Sequence, residues 1–246
     1  FEIEKLSHCD DTRVLINVLN SNDYRFDVGA AGTSMRFLTA FLPKTVGEWR
    51  ITGSERMKNR PIKLLVDALN SLGAKIEYLE KEGFPPLKIY GSALKGGHIC
   101  LNGGVSSQYI SALMMIAPYM QQGLKISLEG EVISIPYIRM TINMMQDFGI
   151  KVEFQNNEIN IKPQVYSPVP FQVESDWSAA SYWYEILSVA REGKITLRGL
   201  KKDSCQGDSR VAEIFESLGV STEYTEHGVI LTPDEKLPVK HLTLDF

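Results

Sequence analysis

The residues best suited to chemistry in this chain supply positive potential and hydrogen-bond donors rather than a nucleophile. Ala30-Ala31-Gly32-Thr33-Ser34 leads into an apolar helical pattern, and so does Gly103-Gly104-Val105-Ser106-Ser107-Gln108. A helix that starts with small residues points free backbone N–H groups and the positive end of its dipole at an anion. Gly32 leaves room for a close approach to the backbone. Ser106, Ser107 and Gln108 add hydroxyls and an amide suited to a phosphate and a ring hydroxyl. The same residue types cap helices without any ligand, so each start alone is ambiguous, whereas two in equivalent places favour a site. Between a strand and a helix, Arg56, Lys58 and Arg60 put three cations into five residues. Arg60 precedes Pro61, which is expected at the first helical position, and its fork matches a carboxylate or phosphate. Arg56 and Lys58 read as solvated. Farther on, Ser134-Ile135-Pro136-Tyr137 holds the equivalent junction. Ser134 there is a cap or a phosphate ligand, and Tyr137 a core aromatic or a cover for a ring.

Other chemistries lack their residues. Cys9, Cys100 and Cys205 are odd in number and far apart, and His8, His98, His227 and His241 show no metal-like spacing. No P-loop, zinc motif or Ser-His-Asp order occurs, so no metal site is expected. The formal net charge of -4 argues against nucleic acid and acidic membrane as partners. Apolar runs such as residues 110–120 are too short to span a bilayer.

The elements that must position these residues repeat. Helices over 60–73, 136–149 and 208–219 each end in an apolar residue and a glycine, Gly73, Gly149 and Gly219, followed by a hairpin. Before each lies a strand reaching a glycine, over 48–53, 124–130 and 194–199. Before each strand comes a leading helix, over 33–42, 106–120 and 176–190. This predicts an α/β fold of repeated helix-strand-helix-strand-strand units. Residues 1–6 read as a strand and 11–19 as a helix, and 241–246 as a strand delivering a further leading helix. Both ends therefore fall inside a repeat, and the chain is expected to be a piece of a longer protein. Pro163, Pro168 and Pro170 mark a linker, which gives a first domain over 1–172 and the first repeat of a second over 173–246. Met114, Met115, Met140, Met144 and Met145 are expected in the core, and Trp177, Tyr182, Trp183 and Tyr184 between layers.

These motifs, in order, resemble those of the 5-enolpyruvylshikimate-3-phosphate synthase family. Gly32-Thr33 with Met35-Arg36 is similar to its Asn-Ala-Gly-Thr-x-x-Arg segment. Arg56-Met57-Lys58-x-Arg60-Pro61-Ile62, followed by Leu65-Val66-Asp67-Ala68-Leu69 and Pro85-Pro86-Leu87, resembles its most specific block. Ser106-Ser107-Gln108-Tyr109, Ser134-x-Pro136-Tyr137-Ile138, Val173-Glu174-Ser175-Asp176-x-Ser178 and Gln206-Gly207-Asp208 complete the series.

The resemblance implies two domains, each of three repeats about a pseudo-threefold axis, in a monomeric cytoplasmic transferase that needs no metal or organic cofactor. It implies that Gly32 and Arg60 hold phosphoenolpyruvate, and that Ser106, Ser107, Gln108 and Ser134 hold shikimate 3-phosphate, with Thr33 and Tyr137 as additions. The implied reaction moves the enolpyruvyl group to shikimate 3-phosphate and releases phosphate, a step toward aromatic amino acids. The family's Lys-Ser segment is expected before Phe1 and its catalytic Asp after Phe246. The catalytic residues are thus expected outside this chain, and the stretch alone is expected to be inactive. Ala30 stands where the family has Asn. Two alternatives are the sister enolpyruvyl transferase acting on UDP-N-acetylglucosamine, and a non-catalytic ligand-binding module. The sister enzyme carries a reactive Cys in the loop that is residues 53–59 here, where none occurs.

Overall fold

The structure, a computed structural model, describes residues 2–234. Its contacts form two compact units, one holding Leu6–Pro170 and the other Ile3–Lys5 with the described residues from Phe171 to Asp234. In chain order the elements begin with β1 (Ile3–Glu4), α1 (Asp10–Asn20), β2 (Arg25–Asp27), α2 (Gly32–Phe41), β3 (Glu48–Thr52) and α3 (Glu55–Lys58). Next come α4 (Lys63–Ser71), β4 (Lys75–Tyr78), β5 (Leu87–Tyr90), β6 (Gly97–Asn102), α5 (Ser107–Ile116) and β7 (Leu124–Glu129). Then follow α6 (Ile135–Asp147), β8 (Glu153–Gln155), β9 (Glu158–Ile161), β10 (Phe171–Gln172) and α7 (Trp177–Ala190). The described chain closes with β11 (Ile195–Arg198), α8 (Val211–Glu216), β12 (Val220–Thr225) and β13 (Gly228–Pro233). The strand expected over 241–246 lies outside the described residues.

Two four-stranded sheets build the larger unit, with the same order, β2-β3-β5-β4 and β6-β7-β9-β8. In each the first pair is parallel and the others antiparallel. A strand therefore opens each repeat ahead of its leading helix, an element expected from the sequence only at 241–246. Alternation sets the buried face: Trp49 and Ile51 on β3, and Leu124, Ile126 and Leu128 on β7, turn inward. The leading helices α2 and α5 are apolar on most sides and pack together in the middle of the core, with Met35, Leu38, Ile110, Leu113 and Met114 buried. Gly73, Gly149 and Gly219 have φ of 103°, 84° and 83°, the left-handed state expected just past a helix end.

Several expectations are corrected. Residues 53–59 are not an open loop: Ser54 accepts from the Met57 N–H at 3.3 Å and starts the one-turn helix α3. Pro61 lies before α4, which begins at Lys63, instead of at its first position. Met144 is 44 % exposed, because it lies on the solvent side of α6 while Met145 is buried.

In the smaller unit, β1 pairs in parallel with β10, so Ile3 and Glu4 belong here and not with the residues that follow them. The antiparallel sheet β11-β13-β12 packs against α7 through Trp177, Tyr184 and Leu187. Tyr182 and Trp183, expected between layers, are exposed on the outer side of α7. Glu174 fixes the approach to this helix by accepting from Trp177 Nε1 at 2.9 Å, Lys201 N at 2.9 Å and Ser204 Oγ at 2.8 Å.

Candidate anion-binding site

Because α2 and α5 pack against each other, their first turns meet. Gln108 Nε2 on α5 donates to Thr33 Oγ1 on α2 at 3.1 Å. The Tyr109 hydroxyl donates to the Pro61 carbonyl at 2.6 Å and holds the segment beside Arg60 against α5. The Ser54 N–H donates to the Gly29 carbonyl at 2.9 Å, joining the turn after β3 to the turn before α2. A Cβ at residue 53 would stand 2.6 Å from that carbonyl, so only glycine permits the contact.

Two guanidiniums converge on Gly32. A Cβ added there would lie 2.5 Å from Arg60 Nη1 and 3.1 Å from Arg36 Nη1. The space that the missing side chain leaves is thus taken by Arg60, where the sequence suggested a ligand. Arg36 is only 5 % exposed. Its Nη1 donates to the Gly32 carbonyl at 2.9 Å and rests 3.7 Å from Met57 Sδ. Among the described residues neither guanidinium has a carboxylate partner. Burial first, and the Arg60 charge second, hold Arg36 below the ordinary guanidinium range, while the Tyr109 hydroxyl partly opposes them. A buried cation beside another cation is costly, and a bound anion would offset that cost. Lys58 is not part of this group, since it is 3.1 Å from Glu55.

The helix starts sharpen the choice between capping and ligand. Ala31 precedes α2, Ser106 precedes α5 and Ser134 precedes α6, and none makes a side-chain cap. Ser54 and Asp176 do cap their helices. The Ser106 and Ser134 hydroxyls are therefore not used by their own helices. Ser107 is the first residue of α5, one position before Gln108. Ser111 Oγ lies 2.7 Å from Thr141 Oγ1, which donates to the Tyr137 carbonyl at 3.0 Å, so α6 is tied to α5 near its first turn. Tyr137 is 56 % exposed, which removes the core-aromatic reading.

Gly32, Thr33, Arg60 and Gln108 are thus linked by contact, with Ser106 and Ser107 adjoining on α5. Ser134 and Tyr137 sit on a neighbouring helix, joined through Thr141. Sequence reasoning missed Arg36 as a site residue. The available signal was a charged residue between Met35 and Phe37 in an apolar helix, which must find a polar partner. Among the described residues, no group of three His, Cys, Asp or Glu side chains is placed to hold a metal ion, and no helix is long and apolar enough to cross a membrane.

The model of the EPSP synthase (3-phosphoshikimate 1-carboxyvinyltransferase) family matches residues 2–245. The chain belongs to the EPSP synthase family. A 3-phosphoshikimate 1-carboxyvinyltransferase of Bacteroides fragilis is 54 % identical over 227 residues, covering 92 % of this chain and 55 % of that protein. One from Photobacterium damsela is 45 % identical over 206 residues, covering 82 % of this chain and 48 % of that protein. The chain spans about half the length of the curated relatives it matches. A solved EPSP synthase from Acinetobacter baumannii has a TM-score of 0.70 over 87 % of this chain and 48 % of its own, at 22 % identity, and so shares the fold. The family match does not favour the sister transferase, in keeping with the absence of Cys from residues 53–59.

Proposed function

We propose that the protein carrying this chain transfers the enolpyruvyl group of phosphoenolpyruvate to shikimate 3-phosphate and releases inorganic phosphate. The observation that carries the reading is the convergence of Arg36 and Arg60 on Gly32 with no carboxylate partner among the described residues. Family membership and the names of the relatives support the reaction class. In this reading Arg60 and the backbone around Gly32 hold the phosphoenolpyruvate anion, with Arg36 behind them. Ser106, Ser107, Gln108 and Ser134 hold shikimate 3-phosphate, Thr33 orients Gln108, and Tyr137 covers the ring. A ring hydroxyl of shikimate 3-phosphate adds through oxygen to the enol carbon as the methylene carbon takes up a proton. The tetrahedral adduct then loses that proton equivalent as the C–O bond to phosphate breaks. Cations fixed before the reaction stabilise charge on the departing phosphate without reorganisation. The protein would work in the cytoplasm as a monomer.

The test is phosphate release by the protein that carries this chain. Release is expected only with both phosphoenolpyruvate and shikimate 3-phosphate. Release with a UDP-amino sugar as acceptor would overturn the substrate assignment, and saturable binding without turnover would leave a binding module.

A further inference from the structure

The open face of the first sheet carries a second group of unpaired positive charge. Strand register sets Arg25 on β2 beside Arg50 on β3, and Arg50 beside Lys88 on β5. The Arg50 N–H donates to the Tyr24 carbonyl at 2.7 Å, which fixes the backbone just before β2 against β3. Like charges on directly paired residues of neighbouring strands destabilise a sheet, and here only one of the three cations is compensated. Lys88 lies 2.9 Å from Glu48 and over the Tyr90 ring. Glu77, farther along the same face, is taken by the Tyr90 hydroxyl and Lys75. Arg25 and Arg50 have no carboxylate partner among the described residues. With Glu48 and Tyr24, itself 66 % exposed, they line a depression of about 420 Å³.

We propose that this depression binds a small oxyanion that carries a planar ring, a carboxylate or phosphate held between Arg25 and Arg50 with its ring against Tyr24. Guanidinium forks match either oxyanion with paired hydrogen bonds, and an exposed tyrosine ring offers apolar area at little entropic cost. Glu48 at the rim and the chain's formal net charge of -4 disfavour an extended polyanion. The site shares no residue with the group around Gly32, so its occupancy can be measured apart from substrate binding.

The experiment titrates the protein with benzoate, phenyl phosphate and acetate by calorimetry. It is repeated on an Arg25→Gln/Arg50→Gln variant, on Tyr24→Ala and on Arg60→Gln. Circular dichroism of these surface variants should be unchanged. At least one ring-bearing anion should bind saturably, at least about tenfold more weakly to the double variant and severalfold more weakly to Tyr24→Ala. Arg60→Gln should keep the component that the double variant loses, and acetate should bind more weakly than benzoate. The ratio of benzoate to phenyl phosphate affinity then tells which oxyanion the site prefers. The proposal is overturned by any of four results: no saturable binding, a double variant that keeps every saturable component of the parent protein, that component lost in Arg60→Gln, or acetate matching benzoate.

Discussion

The guanidinium of Arg60 occupies the space that any side chain at residue 32 would need, since a Cβ there would stand 2.5 Å from Arg60 Nη1. The atom in the way is the end of a flexible side chain, so Gly32→Ala should displace Arg60 and leave the fold intact. The KM for phosphoenolpyruvate is expected to rise at least about tenfold, a loss of about 1.4 kcal/mol. The affinity for shikimate 3-phosphate and the melting temperature should hardly change. Steady-state kinetics with each substrate varied in turn makes the check, and an unchanged KM would separate Arg60 from phosphoenolpyruvate.

Arg60 and Lys58 stand two residues apart but differ in their surroundings. Lys58 is engaged by Glu55 at 3.1 Å, while Arg60 has no carboxylate partner among the described residues. Arg60→Lys keeps the charge and loses the fork, so binding of phosphoenolpyruvate should weaken by about 1–3 kcal/mol. Lys58→Arg should bind within about 0.5 kcal/mol of the parent protein. Equal effects at the two positions would reduce this segment to a diffuse basic patch.

Arg36 should trade stability for binding. It is buried without a carboxylate partner among the described residues, and burial with the Arg60 charge disfavours its charged form. An apolar side chain of similar size removes the cost of burying an unpaired charge. Arg36→Met is therefore expected to leave the denaturation midpoint unchanged or raise it, while phosphoenolpyruvate binding weakens. A strong loss of stability would make the contact with the Gly32 carbonyl structural in purpose.

Much of this arrangement was legible in the residues. The helix-ending glycines and the apolar periods of α2 and α5 located the repeats, because left-handed termini and buried faces leave local patterns. The opening strands left only a weak one. β2 is three residues long with Phe26 alone buried, and β6 alternates in exposure without any fully buried residue, so neither offers the long apolar run that makes a strand stand out. The pairing of Ile3–Glu4 with Phe171–Gln172 was equally out of reach, being a contact between segments far apart in sequence. At the candidate site, residue types pointed to Gly32 and Arg60 separately. Their contact depends on how α2, α3 and α5 pack, which no local pattern encodes.

Tyr184 gives the smaller unit an alkaline dependence. Burial raises its pKa to about 12, partly opposed by the hydrogen bond to Thr222 Oγ1 at 2.9 Å. An unfolded tyrosine ionises near pH 10. The stability associated with the neutral phenol is therefore fully present below about pH 10 and lost as pH rises toward 12. Tyr184→Phe should cost about 1 kcal/mol at neutral pH through the lost hydrogen bond. Its difference from the parent protein should then shrink across that alkaline window. Urea unfolding at a series of pH values measures this, and a difference independent of pH would show that Tyr184 does not titrate in this way.

The hydroxyls at the start of α5 allow capping and ligand binding to be told apart. Ser106 precedes the helix without a side-chain cap, whereas Ser54 caps α3 through the Met57 N–H at 3.3 Å. If Ser106 and Ser107 serve a phosphate, Ser106→Ala with Ser107→Ala removes two hydrogen bonds to a charged ligand. Binding of shikimate 3-phosphate should then fall by an amount on the order of 3 kcal/mol. The same change should alter unfolding free energy by less than about 0.5 kcal/mol, because no intramolecular cap is lost. Ser54→Ala should behave in the opposite way, costing about 1 kcal/mol of stability with shikimate 3-phosphate affinity intact. Calorimetry and urea unfolding on both variants give the four numbers. Should the double variant lose stability and keep its affinity, the two serines at α5 would be capping residues and the phosphate would have to be held elsewhere.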